Sequence, residues 1–298
     1  MNETKSHLLR GSLCTMLGGV CWGFSGTCGQ YLFTRYGVSS LWLTCLRLLS
    51  GGVIMLALAA VRHRRELLRI WRSPADAAML VGYGVFGLMM CQYAYMTSIS
   101  YSNAGTTTVL QTLSLVIIML LTCLRLRRRP NRVETVALVL ALLGTFLLAT
   151  GGDPAHMVLS PQGLFWGLAT AVAVTVYTLL PRRLLARWNR EAINGWGMLI
   201  GGAILNLGAR SWTLHTDLPL QGWLAVAAIV LFGTVLSFTL FMQGIQDVGP
   251  VKSSMLAATE PVSATVFSAV WLGTSFSAVD LMGFAAIIAT IFLLARSE

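Results

Sequence analysis

The chain has 298 residues, of which 56% are hydrophobic and only 11% are charged, and its mean hydropathy is +0.73. A soluble domain of this length needs far more charge to cover its surface, so the composition excludes that class of protein. The formal net charge of +10 alone could indicate nucleic-acid binding. The distribution of the basic residues along the chain indicates a different origin.

Long apolar runs predict ten membrane-spanning helices. A spanning helix needs about 20 apolar residues, and the short segments between the runs leave no room for a soluble domain. Numbered 1 to 10 in chain order, the predicted spans are residues 12–34, 40–61, 75–98, 103–124, 133–150, 162–181, 192–210, 220–244, 251–272 and 278–295. The predicted fold is therefore that of an all-α membrane protein with ten transmembrane helices.

The basic residues predict how the chain is oriented in the membrane. Of the 21 Lys and Arg residues, eighteen fall on one side of the ten-span arrangement, and only Arg35 and Arg210 fall on the other. The remaining one, Arg47, lies inside span 2. Because cytoplasmic loops carry the excess of Lys and Arg, we expect both termini in the cytoplasm. The positive charge is thus a topology signal, and we expect no nucleic-acid partner.

An internal repeat relates the two halves of the chain. A shift of 146 residues lays residues 86–149 over residues 232–295 without a gap, and it places Phe146–Ala149 on Phe292–Ala295. Spans 3 to 5 map onto spans 8 to 10, so each matched pair crosses the membrane in opposite directions. This predicts two inverted five-helix repeats, 1–151 and 152–298, joined near Gly151–Pro154. Inverted repeats with a site at their interface are typical of secondary transporters.

Several short stretches resemble the drug/metabolite transporter superfamily, in the form with two EamA domains. They are Trp22-Gly23, Arg47-Leu48, the stretch from Pro261 through Leu272-Gly273 to Gly283, and the continuation from Phe284 to Ala295. The resemblance covers nearly the whole chain. It implies a ten-helix, multi-pass transporter of the bacterial cytoplasmic (inner) membrane, often an exporter of amino acids or other small metabolites. We expect a monomer or weak dimer without a cofactor.

Glu260 and Pro261 interrupt span 9. Of eight prolines, Pro261 alone is mid-span, and we expect it to free the carbonyl of Ala257, either in a packed kink or in a broken helix at a binding site. Glu260 is the only one of eleven acidic residues placed mid-span. A charge there costs about 2.5–3.5 kcal/mol on insertion scales, so the side chain should face the bundle interior. Three roles are open: proton carrier, counter-ion for a substrate amine, or fixed partner of Arg47.

Other polar and aromatic residues within the spans predict a modestly polar cavity. We expect six of them to converge in one central chamber: Trp22, Gln92, Tyr95, Gln111, Tyr177 and Gln243. Ser25 on span 1 and Arg47 on span 2 are further candidates for substrate binding or coupling. For each residue taken singly, an interhelical hydrogen bond is the competing interpretation. As a set they suit an amphipathic small molecule.

These features predict a secondary active transporter that exports amino acids, amines or related amphipathic compounds by alternating access, with proton coupling as an open option. A non-transporting membrane partner subunit or a channel-like protein is the alternative. An enzyme is not expected, because all four histidines lie outside the spans and no pair of intramembrane acids exists for catalysis or metal binding. We also expect no metal site.

Overall fold

A computed structural model describes the backbone of residues 2–153, 156–214 and 216–297. The side chains of residues 2–6, 62–66, 250, 251, 254, 296 and 297 lie outside this description. The predicted joint at Pro154 therefore falls outside the described residues, as do His215 and the side chain of His63.

The described part of the chain is helical and contains no strand. Apolar segments adopt helices because a helix satisfies its own backbone hydrogen bonds in lipid. The α-helices of the described ranges are α1 Asn2–Tyr36, α2 Ser40–Leu67, α3 Pro74–Gly82, α4 Met90–Tyr101, α5 Ala104–Gln111, α6 Ser114–Arg125, α7 Arg132–Thr150, α8 Pro161–Leu179, α9 Arg182–Leu185, α10 Arg190–Ala209, α11 Leu220–Val230, α12 Ser237–Val248, α13 Pro250–Leu256, α14 Thr259–Leu272 and α15 Ala278–Ser297.

Eight helical segments in the described ranges are long and apolar enough to cross a membrane. They correspond to predicted spans 2 to 8 and span 10. Span 1 lies within the long helix α1, and span 9 corresponds to α13 and α14. Each predicted span thus overlaps helical structure, and the number ten stays a prediction.

Polar residues set several of the helix ends. Asn131 begins α7 with a capping box: its side chain accepts from the Glu134 backbone N–H, and the Glu134 carboxylate accepts from the Asn131 N–H. Arg128 holds the same carboxylate through two N–H donors, at 2.6 and 2.7 Å. At the other end of α7, Gly151 adopts the left-handed conformation that terminates many helices.

Four spans contain an interruption. A π-helical stretch joins α3 to α4 at Tyr83–Met89, and another joins α11 to α12 at Leu231–Leu236. Span 4 breaks between α5 and α6, and span 9 breaks between α13 and α14. A shift of 146 residues takes residues 74, 104 and 132, where α3, α5 and α7 begin, to residues 220, 250 and 278, where α11, α13 and α15 begin. Spans 3 and 4 therefore correspond to spans 8 and 9, and the interruptions fall in corresponding spans.

The helices pack around a central region. Helix α1 packs against α12 and α14, α8 packs against α4, α5 and α6, and α2 packs against α10. Helix α7 crosses α15 at two glycines that approach backbone to backbone. A Cβ atom on Gly144 would lie 2.8 Å from the Gly283 carbonyl oxygen, and one on Gly283 would lie 3.0 Å from the Gly144 oxygen. Only residues without a side chain fit at this crossing.

Candidate functional site

A cavity with an empty volume of about 800 Å³, including its open mouth, lies between helices from both halves of the chain. The lining residues come from seven helices and the first π-helical stretch, and they are Trp22, Arg47, Leu88, Cys91, Gln92, Tyr95, Gln111, Val174, Tyr177, Phe238, Phe241, Met242 and Glu260.

The cavity brings together most of the residues singled out in the sequence. Five of the six residues expected to converge line it, together with Arg47 and Glu260. Five residues of the predicted chamber therefore lie together, whereas Gln243, Ser25 and Pro261 lie outside its lining.

Gln243 was wrongly expected in the central chamber. It lines a second pocket with Arg190 and Asn194, and its Nε2 donates to Asp247 Oδ1 at 3.1 Å. Met242 contributes to both pockets. Residues 238, 241 and 242 form the face of α12 that lines the chamber, and position 243 is turned by about 100° or more from each of them, so Gln243 lies off that face.

The effect of Pro261 on the backbone also differs from the expectation. The Ala257 carbonyl is not freed, because it accepts from the Glu260 backbone N–H at 2.9 Å. Pro261 is the third residue of α14, inside the first turn, where its missing N–H costs little. Span 4 breaks at the related place although Leu115 stands where span 9 has Pro261. The break therefore does not depend on proline.

Glu260 occupies the first turn of α14 and is half-buried at the cavity wall. Ala257 and Ala258, which separate α13 from α14, keep right-handed helical dihedral angles, and the Glu260 backbone N–H already donates to the Ala257 carbonyl. Glu260 Oε1 accepts from Gln111 Nε2 at a long 3.4 Å. No ion pair within 4.0 Å joins it to Arg47, whose side chain, like that of Glu260, is among those described.

Arg47 is buried, with only 5% of its surface exposed. Its Nη2 donates to the carbonyl oxygen of Gly233 at 3.0 Å, within the second π-helical stretch. Its Nε and Nη1 have no hydrogen-bond partner in the described part of the protein. Ser25 is buried beside Gly233, behind the cavity wall, and its hydroxyl likewise has no partner among the described residues.

Aromatic and apolar side chains form the rest of the wall. Trp22 packs against Phe238 and Phe241, with ring centroids 5.5 and 5.1 Å apart, and Tyr177 stacks on Tyr83 at 5.8 Å. The sequence reasoning did not identify the remaining lining residues: Leu88, Cys91, Val174, Phe238, Phe241 and Met242. Helical spacing was the available signal, since residues 238, 241 and 242 share one helix face, as do residues 88, 91, 92 and 95.

Comparison with known proteins identifies the family. The EamA-like transporter family matches residues 9–150 and 161–296. The inner membrane transporter YicL of Salmonella typhimurium is 36% identical over 285 residues, which cover 96% of this chain and 95% of YicL. The transporter YwfM of Bacillus subtilis is 25% identical, over 92% of this chain and 90% of its own. A solved crystal structure shares the fold with a TM-score of 0.63 at 20% identity, covering 98% of each chain.

The relatives also indicate where the protein resides. YicL and the E. coli protein YedA, which is 24% identical over 92% of this chain, are both named inner membrane transporters. With eight membrane-capable helices in its described part, the protein is a multi-pass inner membrane protein. The family and its named members are transporters, and this chain belongs to the EamA-like transporter family.

Proposed function

We propose that the protein is a secondary active transporter that exports small amphipathic metabolites, such as amino acids or amines, across the cytoplasmic membrane. The observation that carries the proposal is the cavity itself. It combines aromatic walls, two amide side chains and a single half-buried carboxylate, Glu260, in a chain that belongs to a transporter family. Such a lining suits a molecule with an apolar body and few polar groups.

The proposed mechanism is alternating access between two inverted repeats, 1–151 and 152–298, with ten spans and cytoplasmic termini. The 146-residue correspondence of helix starts and of helix interruptions supports this arrangement. The contacts are related in the same way, since α1 packs on α12 and α14 while α8 packs on their counterparts α4 and α6. Two halves that exchange conformations would open the cavity to each side of the membrane in turn.

Within this mechanism, Glu260 is proposed as the coupling group. Its carboxylate is the only acidic side chain among the lining residues, and its one described side-chain partner is Gln111 at 3.4 Å. A weakly held carboxylate in a cavity of low polarity can exchange a proton or the amine of a substrate. Gln92, Tyr95 and Tyr177 are proposed to position the substrate by hydrogen bonding and ring contact.

The test is transport in proteoliposomes that contain the purified protein and an imposed pH gradient. Radiolabelled amino acids and amines are screened for accumulation, with protein-free liposomes and gradient-free vesicles as controls. We expect at least one aromatic or aliphatic compound to accumulate against its concentration only when the gradient is present. Equilibration that never exceeds the external concentration would instead indicate a channel-like protein, and no flux of any compound would contradict the proposal.

A further inference from the structure

The second π-helical stretch, Leu231–Leu236, is the meeting point of three helical segments. Arg47 reaches it from α2 and donates through Nη2 to the Gly233 carbonyl oxygen at 3.0 Å. Ser25 reaches it from α1, since a Cβ atom on Gly233 would overlap the Ser25 hydroxyl and lie 3.2 Å from Arg47 Nη2. The absence of a side chain at Gly233 is what allows the guanidinium and the hydroxyl to sit side by side.

The polar groups at this point have unused hydrogen-bonding capacity. On Ser25, Arg47 and residues 234–237, five buried side-chain atoms have no hydrogen-bond partner in the described part of the protein: Ser25 Oγ, Arg47 Nε, Arg47 Nη1, Thr234 Oγ1 and Ser237 Oγ. Ser25 is 1% exposed, and Thr234 and Ser237 are fully buried. Buried polar atoms are nearly always hydrogen-bonded in folded proteins. Of these residues only Arg47 lines the cavity, so its guanidinium is the group that a molecule in the cavity can satisfy.

The charge of the cluster determines which kind of molecule fits. The guanidinium of Arg47 is permanently protonated and can only donate. No described acid lies within 4.0 Å of it, and Glu260 on another helix bonds to Gln111 instead. A buried cation that is not held in a close ion pair is costly. Arg47 lines the cavity, whereas Ser25 lies behind its wall, so an anion that enters the cavity meets the guanidinium.

We propose that Arg47, positioned by the Gly233 carbonyl and the neighbouring Ser25, forms a subsite for a carboxylate group of the transported molecule. A carboxylate carries one negative charge and accepts several hydrogen bonds, which matches one guanidinium whose Nε and Nη1 have no described partner. A phosphate would call for further cations, and Arg47 is the only Lys or Arg among the lining residues. That the carboxylate belongs to a transported molecule rests on the proposed function, whereas the binding of a carboxylate does not.

The experiment measures binding of three probes to the purified protein in detergent by calorimetry. The probes are 3-phenylpropanoate, its neutral amide 3-phenylpropanamide, and phenethylamine, which share an aromatic body and differ in charge. The variants are Arg47→Met, Arg47→Lys and Ser25→Ala. Arg35→Met is the matched control, since Arg35 is an exposed arginine at the end of α1. Size-exclusion profiles and thermal unfolding report whether each variant is folded.

We expect 3-phenylpropanoate to bind the wild type more tightly than the neutral amide does. Arg47→Met should weaken 3-phenylpropanoate by about tenfold or more, as loss of a hydrogen bond to a charged group predicts, and should leave phenethylamine no weaker. If Arg47→Met does not fold, Ser25→Ala carries the test with a smaller, carboxylate-selective loss. Arg35→Met should match the wild type for all three probes.

The proposal is overturned if the wild type binds the amide as well as the carboxylate, or fails to bind the carboxylate. It is equally overturned if folded Arg47→Met, or Ser25→Ala where that variant carries the test, binds 3-phenylpropanoate as the wild type does. Arg47-dependent binding without transport of any compound would instead support the subsite and contradict the transporter proposal. The two ideas can thus fail separately.

Discussion

Gln111 and Glu260 meet across the cavity, each beside a break in its own span. Gln111 is the last residue of α5 and Glu260 the second residue of α14, and the amide nitrogen of one lies 3.4 Å from a carboxylate oxygen of the other. Helices α5 and α14 pack together, so the two interrupted spans bring their polar side chains to a common point. A hydrogen bond of this length holds the carboxylate loosely.

Replacing Glu260 with glutamine should separate folding from coupling. The amide keeps the size of the side chain and an oxygen that accepts from Gln111, but it cannot take up a proton or pair with an amine. We expect Glu260→Gln to purify like the wild type and to lose gradient-driven accumulation in proteoliposomes. Asp280→Asn is the control, because Asp280 caps the exposed start of α15. Undiminished pH-dependent accumulation by Glu260→Gln would refute the coupling role.

A double substitution tests whether Glu260 and Arg47 depend on each other for stability. Arg47 and Glu260 line the same cavity and interact electrostatically, but no ion pair joins them within 4.0 Å, so the effects of Arg47→Met and Glu260→Gln on thermal unfolding should depart from additivity by only about 0.5–1 kcal/mol. A double variant that recovers stability lost by either single variant would show a structural ion pair instead.

The substitution Gly23→Ala tests how closely α1 approaches α14. A Cβ atom at this position would lie 2.7 Å from both the Ala264 nitrogen and the Glu260 carbonyl oxygen, and backbone atoms cannot move aside as a flexible side chain can. Gly23→Ala should lower stability by about 1–3 kcal/mol, as overpacking does, measured as a lower unfolding temperature in detergent.

The matched control for this change is Gly208→Ala. Gly208 is also helical, but a Cβ atom there meets nothing within 4 Å. This substitution should be neutral or stabilising by up to about 1 kcal/mol, because it only removes glycine's conformational freedom. Equal effects at the two positions would contradict the packing described for α1 and α14.

The orientation in the membrane can be tested with single cysteines. Val158, which is 69% exposed between α7 and α8, should lie on the periplasmic side, and the exposed Arg129 between α6 and α7 should lie on the cytoplasmic side. A membrane-impermeant maleimide should label Val158→Cys in intact cells and Arg129→Cys only after permeabilisation. The six native cysteines are buried or half-buried, and the unsubstituted protein provides the background. The reverse labelling pattern would show that the topology is opposite to the predicted one.

The spans and the chamber could be predicted from the sequence because lipid imposes a simple rule. Apolar runs must be helical, and a charge such as Glu260 or Arg47 inside them must face inward. The same rule cannot identify Phe238 and Met242 as cavity residues, because apolar side chains that line a cavity have the same chemistry as those that face lipid. Gln243 was misassigned because polarity alone does not fix the rotation of a helix. The break after Gln111 was missed because no proline or glycine marks it.

The crossing of α7 and α15 has a mechanical consequence. Gly144 and Gly283 let the two helices approach closely, and the side chains of Leu148 and Ile287 pack into the space that the missing Cβ atoms leave. Interlocked side chains have to leave their grooves before one helix can turn on the other. We expect this crossing to move as one rigid unit, with large changes in accessibility elsewhere and little change at these two glycines. Spin labels flanking the crossing should therefore keep a constant separation while those at the cavity do not.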